Sequence, residues 1–128
     1  MAQTTKTTEY FSLTVPEGYE LTSSEPVEDF KLFRVQRGEH TILLVYVGNA
    51  PSYHVPLSQT KTDQIARFKA GQVELMSVWS NGKLERRELL VRLRHSGWPQ
   101  YLHATTGTPI DIADQVMSSL QIKPGSTE

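Results

Sequence analysis

VELMSVWSNGKLERRELLVRLR (73–94) decides the fold class, because its second half reads two ways. Leu84, Glu85, Arg86, Arg87 and Glu88 are all good helix formers. Against that, Leu89, Val91 and Leu93 alternate with Glu88, Leu90, Arg92 and Arg94, which is the period of a strand. The pair Asn81-Gly82 settles the choice. A type I′ turn needs positive φ at both central residues, which Asn and Gly tolerate, so two apolar runs joined by Asn-Gly predict a β-hairpin. The stretch is read as strands 73–79 and 84–94 joined by SNGK.

Working outward, FKLFRVQ (30–36) pairs with TILLVYV (41–47) through RGEH. The second arm is apolar on both faces, as in a central strand covered on each side. YFSLTV (10–15) alternates Phe11, Leu13 and Val15 with polar residues and ends in the turn Pro16-Glu17-Gly18. Residues 19–29 are polar and read as an irregular connection with at most a short strand at its start. In 57–72 the period changes: Thr62 can cap a short helix carrying Ile65 and Phe68 on one face, and Gly71 sits where a helix stops. HSGWP then turns the chain into a strand starting at Gln100. The last element is a helix with Thr108 as N-cap, Pro109 first and Asp111 third, and an apolar face of Ala113, Val116, Met117 and Leu120 entered through Ile110 and Ile112. The expected fold is α+β: an antiparallel sheet of about five to seven strands with a short helix and a C-terminal helix packed on it. Residues 1–9 read as a flexible tether, 10–123 as one domain and 124–128 as a flexible tail.

At 128 residues, such a domain buries roughly two-thirds of its unfolded surface without help from disulfides or metals. Thirteen basic against 14 acidic side chains leave a net charge of -1, too little to draw in nucleic acid or an anionic membrane. The absence of cysteine excludes thiol catalysis, Cys-ligated zinc and disulfides, and is compatible with a reducing or an exported location. MAQTTKTTE has no apolar signal-peptide core, and the sequence has no run long enough to span a bilayer. Its threonine-rich start reads either as the tether behind the lipid-bearing cysteine of a bacterial lipoprotein, with Met1 in that cysteine's place, or as an ordinary frayed terminus.

Chemistry-bearing motifs are few. His40, His54, His95 and His103 match no zinc spacing, so no metal site is expected. There is no G-x-S-x-G elbow, and Glu25, Glu28 and Asp29 crowd a polar connection that reads as a solvated loop. None of the eight glycines falls in a phosphate-binding pattern. The expectation is a non-enzymatic protein with no cofactor. KLERRE, with Arg92 and Arg94, reads as the solvent face of a strand near a sheet edge, where charge discourages aggregation. Trp79, Trp98 and Tyr101 read as packing residues or, together with His103, as a ligand platform.

The remaining signal is loop geometry. The connection 48–72 is long enough to cross a sheet face, which would set 73–79 parallel to 41–47 and bring GNAPSYHVP (48–56), SNGK and TTGTP to one end. There, Pro51 and Pro56 would limit the freedom lost on binding while Tyr53 and His54 supply amphipathic contact area. The expected partner-binding residues are Asn49, Ser52, Tyr53, His54, Ser80, Asn81 and Lys83. A plainer reading, in which the prolines only steer the chain from strand to helix, stays open.

FSLTVPEGYEL, TILLVYVGNAP, SGWPQYLHATTG and ADQVMSSLQIK together resemble, over nearly the whole chain, the small PsbP-like α/β/α sandwich family, whose members mostly act in binding or assembly. More narrowly, the chain resembles the periplasmic immunity lipoproteins of bacterial type VI secretion that neutralise a peptidoglycan-cleaving muramidase effector. That resemblance implies a lipid-anchored periplasmic protein that blocks the effector's substrate groove with surface loops, any calcium belonging to the effector. The alternative implied by the fold resemblance alone is a non-enzymatic ligand-binding or assembly-factor module.

Overall fold

A computed structural model describes residues 3–24, 30–49, 51, 64–94 and 96–123, and of residues 64–70 and Ser80 the backbone alone. Two antiparallel sheets and one helix make up the described chain. The first strand, β1 (Gln3–Thr7), is exposed along its whole length and pairs with β2 (Phe11–Pro16), in register from Gln3↔Pro16 to Thr7↔Ser12. This stretch was expected to be a flexible tether. Its threonines are β-branched and suit a pleated strand, and β2 offers it a ladder of backbone partners.

The larger sheet contains β3 (Glu20–Ser23), β4 (Phe30–Arg37), β5 (His40–Gly48), β6 (Gln64–Ala70), β7 (Val73–Ser80), β8 (Lys83–Arg92) and β9 (Tyr101–Thr106). Their order across the sheet is β3-β4-β5-β9-β8-β7-β6, with every neighbour antiparallel. Strand β9 is therefore inserted between two meanders that both precede it in the chain. The hairpin read from Asn81-Gly82 is present, with φ of 54° and 75° at those residues, as a type I′ turn requires. RGEH likewise forms a tight turn, with Gly38 at φ 60°.

Residues 64–70 are strand, where a helix was expected. Gly71, read as a helix stop, has φ 58° and opens the two-residue turn that pairs Ala70 with Val73. The helical signal there rested on Ile65 and Phe68, and so short an isolated helix is marginal in water; pairing along β7 satisfies the same backbone groups. The other positions of that expected helix, 57–63 with Thr62, lie outside the described residues.

The C-terminal helix, α1 (Ile110–Ser118), starts one residue later than the sequence suggests. Pro109 holds the N-cap position with extended backbone and no side-chain cap, and Asp111 lies in the first turn. At the other end, Ser119 Oγ donates to Val116 O at 2.6 Å and accepts the N–H of Thr14 at 2.8 Å, tying the last turn to β2. The chain continues into β10 (Gln121–Ile122), which pairs with the other side of β2. The small sheet thus has the order β1-β2-β10, and α1 and β2 pack together on one face of the large sheet.

Cross-strand register explains that core. Phe33, Val45, Ala104 and Leu89 follow one another across β4, β5, β9 and β8, and Val47, Leu102 and Val91 form the next row. Phe11, Leu13 and Val15 of β2 and Ala113, Val116 and Met117 of α1 close over these rows. Opposite Val35 and Gln36 the register shifts, leaving Ile42 as an extra residue; a bulge of this kind lets Ile42 and Leu43, both fully buried, point inward together. No helix among the described residues is long and apolar enough to cross a membrane.

Candidate functional site

Five strand ends and the approach to α1 meet at one end of the large sheet. The Arg37–His40 turn, the Ser80–Lys83 turn and the Gly107–Pro109 connection all lie there, because β4 and β7 finish, β5 and β8 begin, and β9 finishes at the same edge. Gly107 lies close against β5: its N–H donates to Ile42 O at 2.6 Å, and a Cβ would make a tight contact with Thr41 O at 3.0 Å. The His40 ring, through Nε2, meets the carbonyl of Thr108 and braces this connection against β5. Arg37, Gly38, Glu39, His40, Asn81, Gly82, Lys83, Thr108 and Pro109 are exposed. The two hairpin tips stand three strand spacings apart, roughly 14 Å. They form a polar, exposed surface built of two tight turns.

Asn81 and Lys83 belong to this end, and so does the backbone of Ser80. Asn49 does not. It is exposed at the opposite end of the sheet, where its Oδ1 accepts the N–H of Gln100 at 3.0 Å and fixes the entry to β9. Ser52, Tyr53, His54 and Pro56 lie outside the described residues. The expectation that GNAPSYHVP, SNGK and TTGTP share one end is corrected: β9 and β8 stand between β5 and β7, each step is antiparallel, and three such steps set β7 against β5. SNGK and TTGTP come together, and Asn49 is left at the far end.

The aromatic set does not converge either. Trp98 makes an edge contact with Tyr10 at 6.1 Å, ahead of β2. Tyr101, on the sheet face turned away from α1, lies under the Arg92 guanidinium at 5.9 Å. His103, on that same face, is buried and hydrogen-bonded to Glu88 through Nε2 at 3.0 Å. With the ring proton on Nε2, the imidazole donates to the Glu88 carboxylate.

KLERRE is the stretch that sequence reasoning placed least well. It is not the solvent face of an edge-proximal strand, since β8 lies between β9 and β7. Glu85 is exposed, but Arg86 and Arg87 are half-buried and Glu88 is fully buried. Arg87 forks onto both carboxylate oxygens of Asp114 in α1, at 2.7 and 2.8 Å, and its Nε donates to Ser77 Oγ at 3.2 Å. Arg86 Nε lies 3.9 Å from Glu88 Oε2 on the other face. These charges pin the sheet to its helix and polarise its interior. No local signal in the sequence could have found them, because His103 and Asp114 are distant along the chain.

Among the described residues no group of three or more His, Asp or Glu side chains gathers as metal ligands do. His40 and His103 are engaged as given above, and His54 and His95 lie outside the described residues. Compared with known proteins, the chain matches no family model, no curated protein and no solved structure.

Proposed function

We propose that this chain is an immunity protein: a non-enzymatic inhibitor that binds a peptidoglycan-cleaving muramidase effector of type VI secretion and fills its substrate groove with the β7–β8 hairpin. The observation that carries the proposal is the tip itself. A type I′ turn with exposed Asn81, Gly82 and Lys83 ends two paired strands of a seven-stranded sheet, and a turn shaped by its own hairpin loses little conformational entropy on insertion. Glycoside hydrolases work with a pair of carboxylates in the groove, and the Lys83 ammonium offers them a counter-charge. The resemblance of FSLTVPEGYEL, TILLVYVGNAP, SGWPQYLHATTG and ADQVMSSLQIK to the PsbP-like family, and of the AQTTKTT start to the tether of a periplasmic immunity lipoprotein, supports the same reading. In it, the two-sheet architecture is a variant of the PsbP-like sandwich, the threonine-rich β1 follows a lipid-anchored terminus in the periplasm, and calcium sits on the effector.

The test is a peptidoglycan-lysis assay with a captured hydrolase, calcium present. The double change Asn81→Asp and Lys83→Glu keeps an Asx-Gly turn but reverses its charge. It is expected to weaken inhibition at least tenfold without moving the thermal midpoint, the order of effect seen when an interfacial charge pair is broken. Asn49→Asp, at the far end of the sheet, should inhibit like the unchanged protein. Full inhibition by the double variant would overturn the hairpin assignment, and failure of the unchanged protein to capture any hydrolase would overturn the immunity reading itself.

A further inference from the structure

A second surface, away from the hairpin end, has the make-up of a ligand site. Where the edge of the small sheet meets the edge strand of the large one, a cleft of about 530 Å³ opens. Lys6 and Thr7 of β1, Thr8 and Glu9 of the following turn, Leu21, Thr22 and Ser23 of β3, Lys31 and Phe33 of β4, and Lys123 beyond β10 line it. The volume lies in the range of small-molecule sites.

Its floor is apolar and fixed. Phe33 is 3% exposed and packs edge-on against Phe11, with ring centroids 5.1 Å apart at 83°, and Leu21 lies beside it. One wall is equally rigid: Thr8 Oγ1 donates to Phe11 O and accepts the N–H groups of Tyr10 and Phe11, each at 3.1 Å. Lys6, Lys31 and Lys123 line the cleft with a single acidic residue among those described, Glu9. None of the three lysines is in an ion pair with a described residue, and Lys31 Nζ is held 5.2 Å from the Phe33 ring centroid. Three lysines against one glutamate among the described residues of the cleft, over an aromatic floor, make a place that favours negative charge on an apolar body.

We infer that this cleft binds small amphipathic anions, with an aromatic or apolar body on Phe33 and Leu21 and a sulfonate, carboxylate or phosphate head between Lys6, Lys31 and Lys123. The inference stands apart from the immunity reading, since the cleft shares no residue with the hairpin end. No property of the sequence announces it: the three lysines come from β1, β4 and the segment after β10.

The probe is naphthalene-2-sulfonate, titrated into the full chain and followed by backbone amide shifts, with the uncharged naphthalene-2-sulfonamide as its isostere. Saturable shifts confined to residues 6–9, 21–23, 31–33 and 123 are expected for the sulfonate, with the sulfonamide at least tenfold weaker. Replacing Lys6, Lys31 and Lys123 together by Gln should weaken sulfonate binding about tenfold or more, at roughly two- to fivefold per partly exposed charge, while the amide spectrum stays folded. Arg92→Gln, an exposed cation of β8 outside the cleft, should leave sulfonate binding unchanged. 2-Naphthoate and 2-naphthyl phosphate then rank the head groups. Equal binding of the neutral isostere, shifts centred elsewhere, an unaffected triple variant or no saturation by any of the anions would each overturn the inference.

Discussion

Gly48 shows how much one missing side chain can decide. It closes β5 opposite Phe30, and a Cβ there would lie 2.6 Å from Tyr46 Oη, 2.8 Å from Tyr46 Cζ and 2.9 Å from Phe30 Cβ. The Tyr46 and Phe30 rings, stacked at 5.7 Å, occupy the space a side chain would need. Gly48→Ala is therefore expected to cost about 1–3 kcal/mol by overpacking, read as a lowered urea midpoint at unchanged slope. Removing the tyrosine ring as well, in a Gly48→Ala, Tyr46→Ala cycle, should recover part of that loss; additive effects would show that the ring is not the obstacle. In the sequence, Gly48 looked like the start of a loop. Only the folding of Tyr46 back over its own strand gives it this role. Asn81 is the opposite case, legible at once because a positive φ at that position is a local property of the turn.

At the scale of elements, strands announced by turns were legible and the positions inside them were not. The β4–β5 and β7–β8 hairpins follow from Gly38 and Asn81-Gly82, whose backbone demands are local. Strand β6 was hidden because its partner β7, not its own residues, makes it a strand. Within β8 the alternation gave the period correctly but could not say which charged side chains are buried. Glu88 is fully buried beside His103. Truncating it to Ala leaves the imidazole and the nearby Arg86 guanidinium without that carboxylate, and should cost about 3–5 kcal/mol. Replacing both members, Glu88→Leu with His103→Leu, should be far milder than Glu88→Ala, since exchanging both partners of a buried hydrogen bond for apolar groups of like shape can be nearly neutral. Equilibrium unfolding of the three proteins checks this, and a double variant as unstable as the single one would argue against the pair as a unit.

The whole molecule depends on the small sheet and α1 sealing one face of the large sheet. Leu13, 1% exposed in β2, lies at the centre of that seal, and Leu13→Ala is expected to cost about 2–5 kcal/mol. Thr5→Ala, in the exposed strand β1 of the same sheet, should change stability by less than about 0.5 kcal/mol. Comparable losses from both would mean that β1, and not the β2 core, holds the layers together. An antiparallel sheet with the C-terminal helix was legible from periodicity. The division into two sheets was not, because β2 reads like any half-buried strand and its partners, β1 and β10, are a threonine-rich start and two residues after a helix.

Strand order has a further consequence for the chain while it is being made. Both β5 and β8 leave the ribosome before their common neighbour β9 exists. At synthesis rates of about 5–20 residues per second, the stretch from residue 49 to 106 takes roughly 3 to 12 s. Throughout that interval β5 presents a bare hydrogen-bonding edge to any strand that reaches it first. Vectorial synthesis thus leaves the nascent protein open to capture along its own central seam, and the arrival of residues 101–106 ends that exposure.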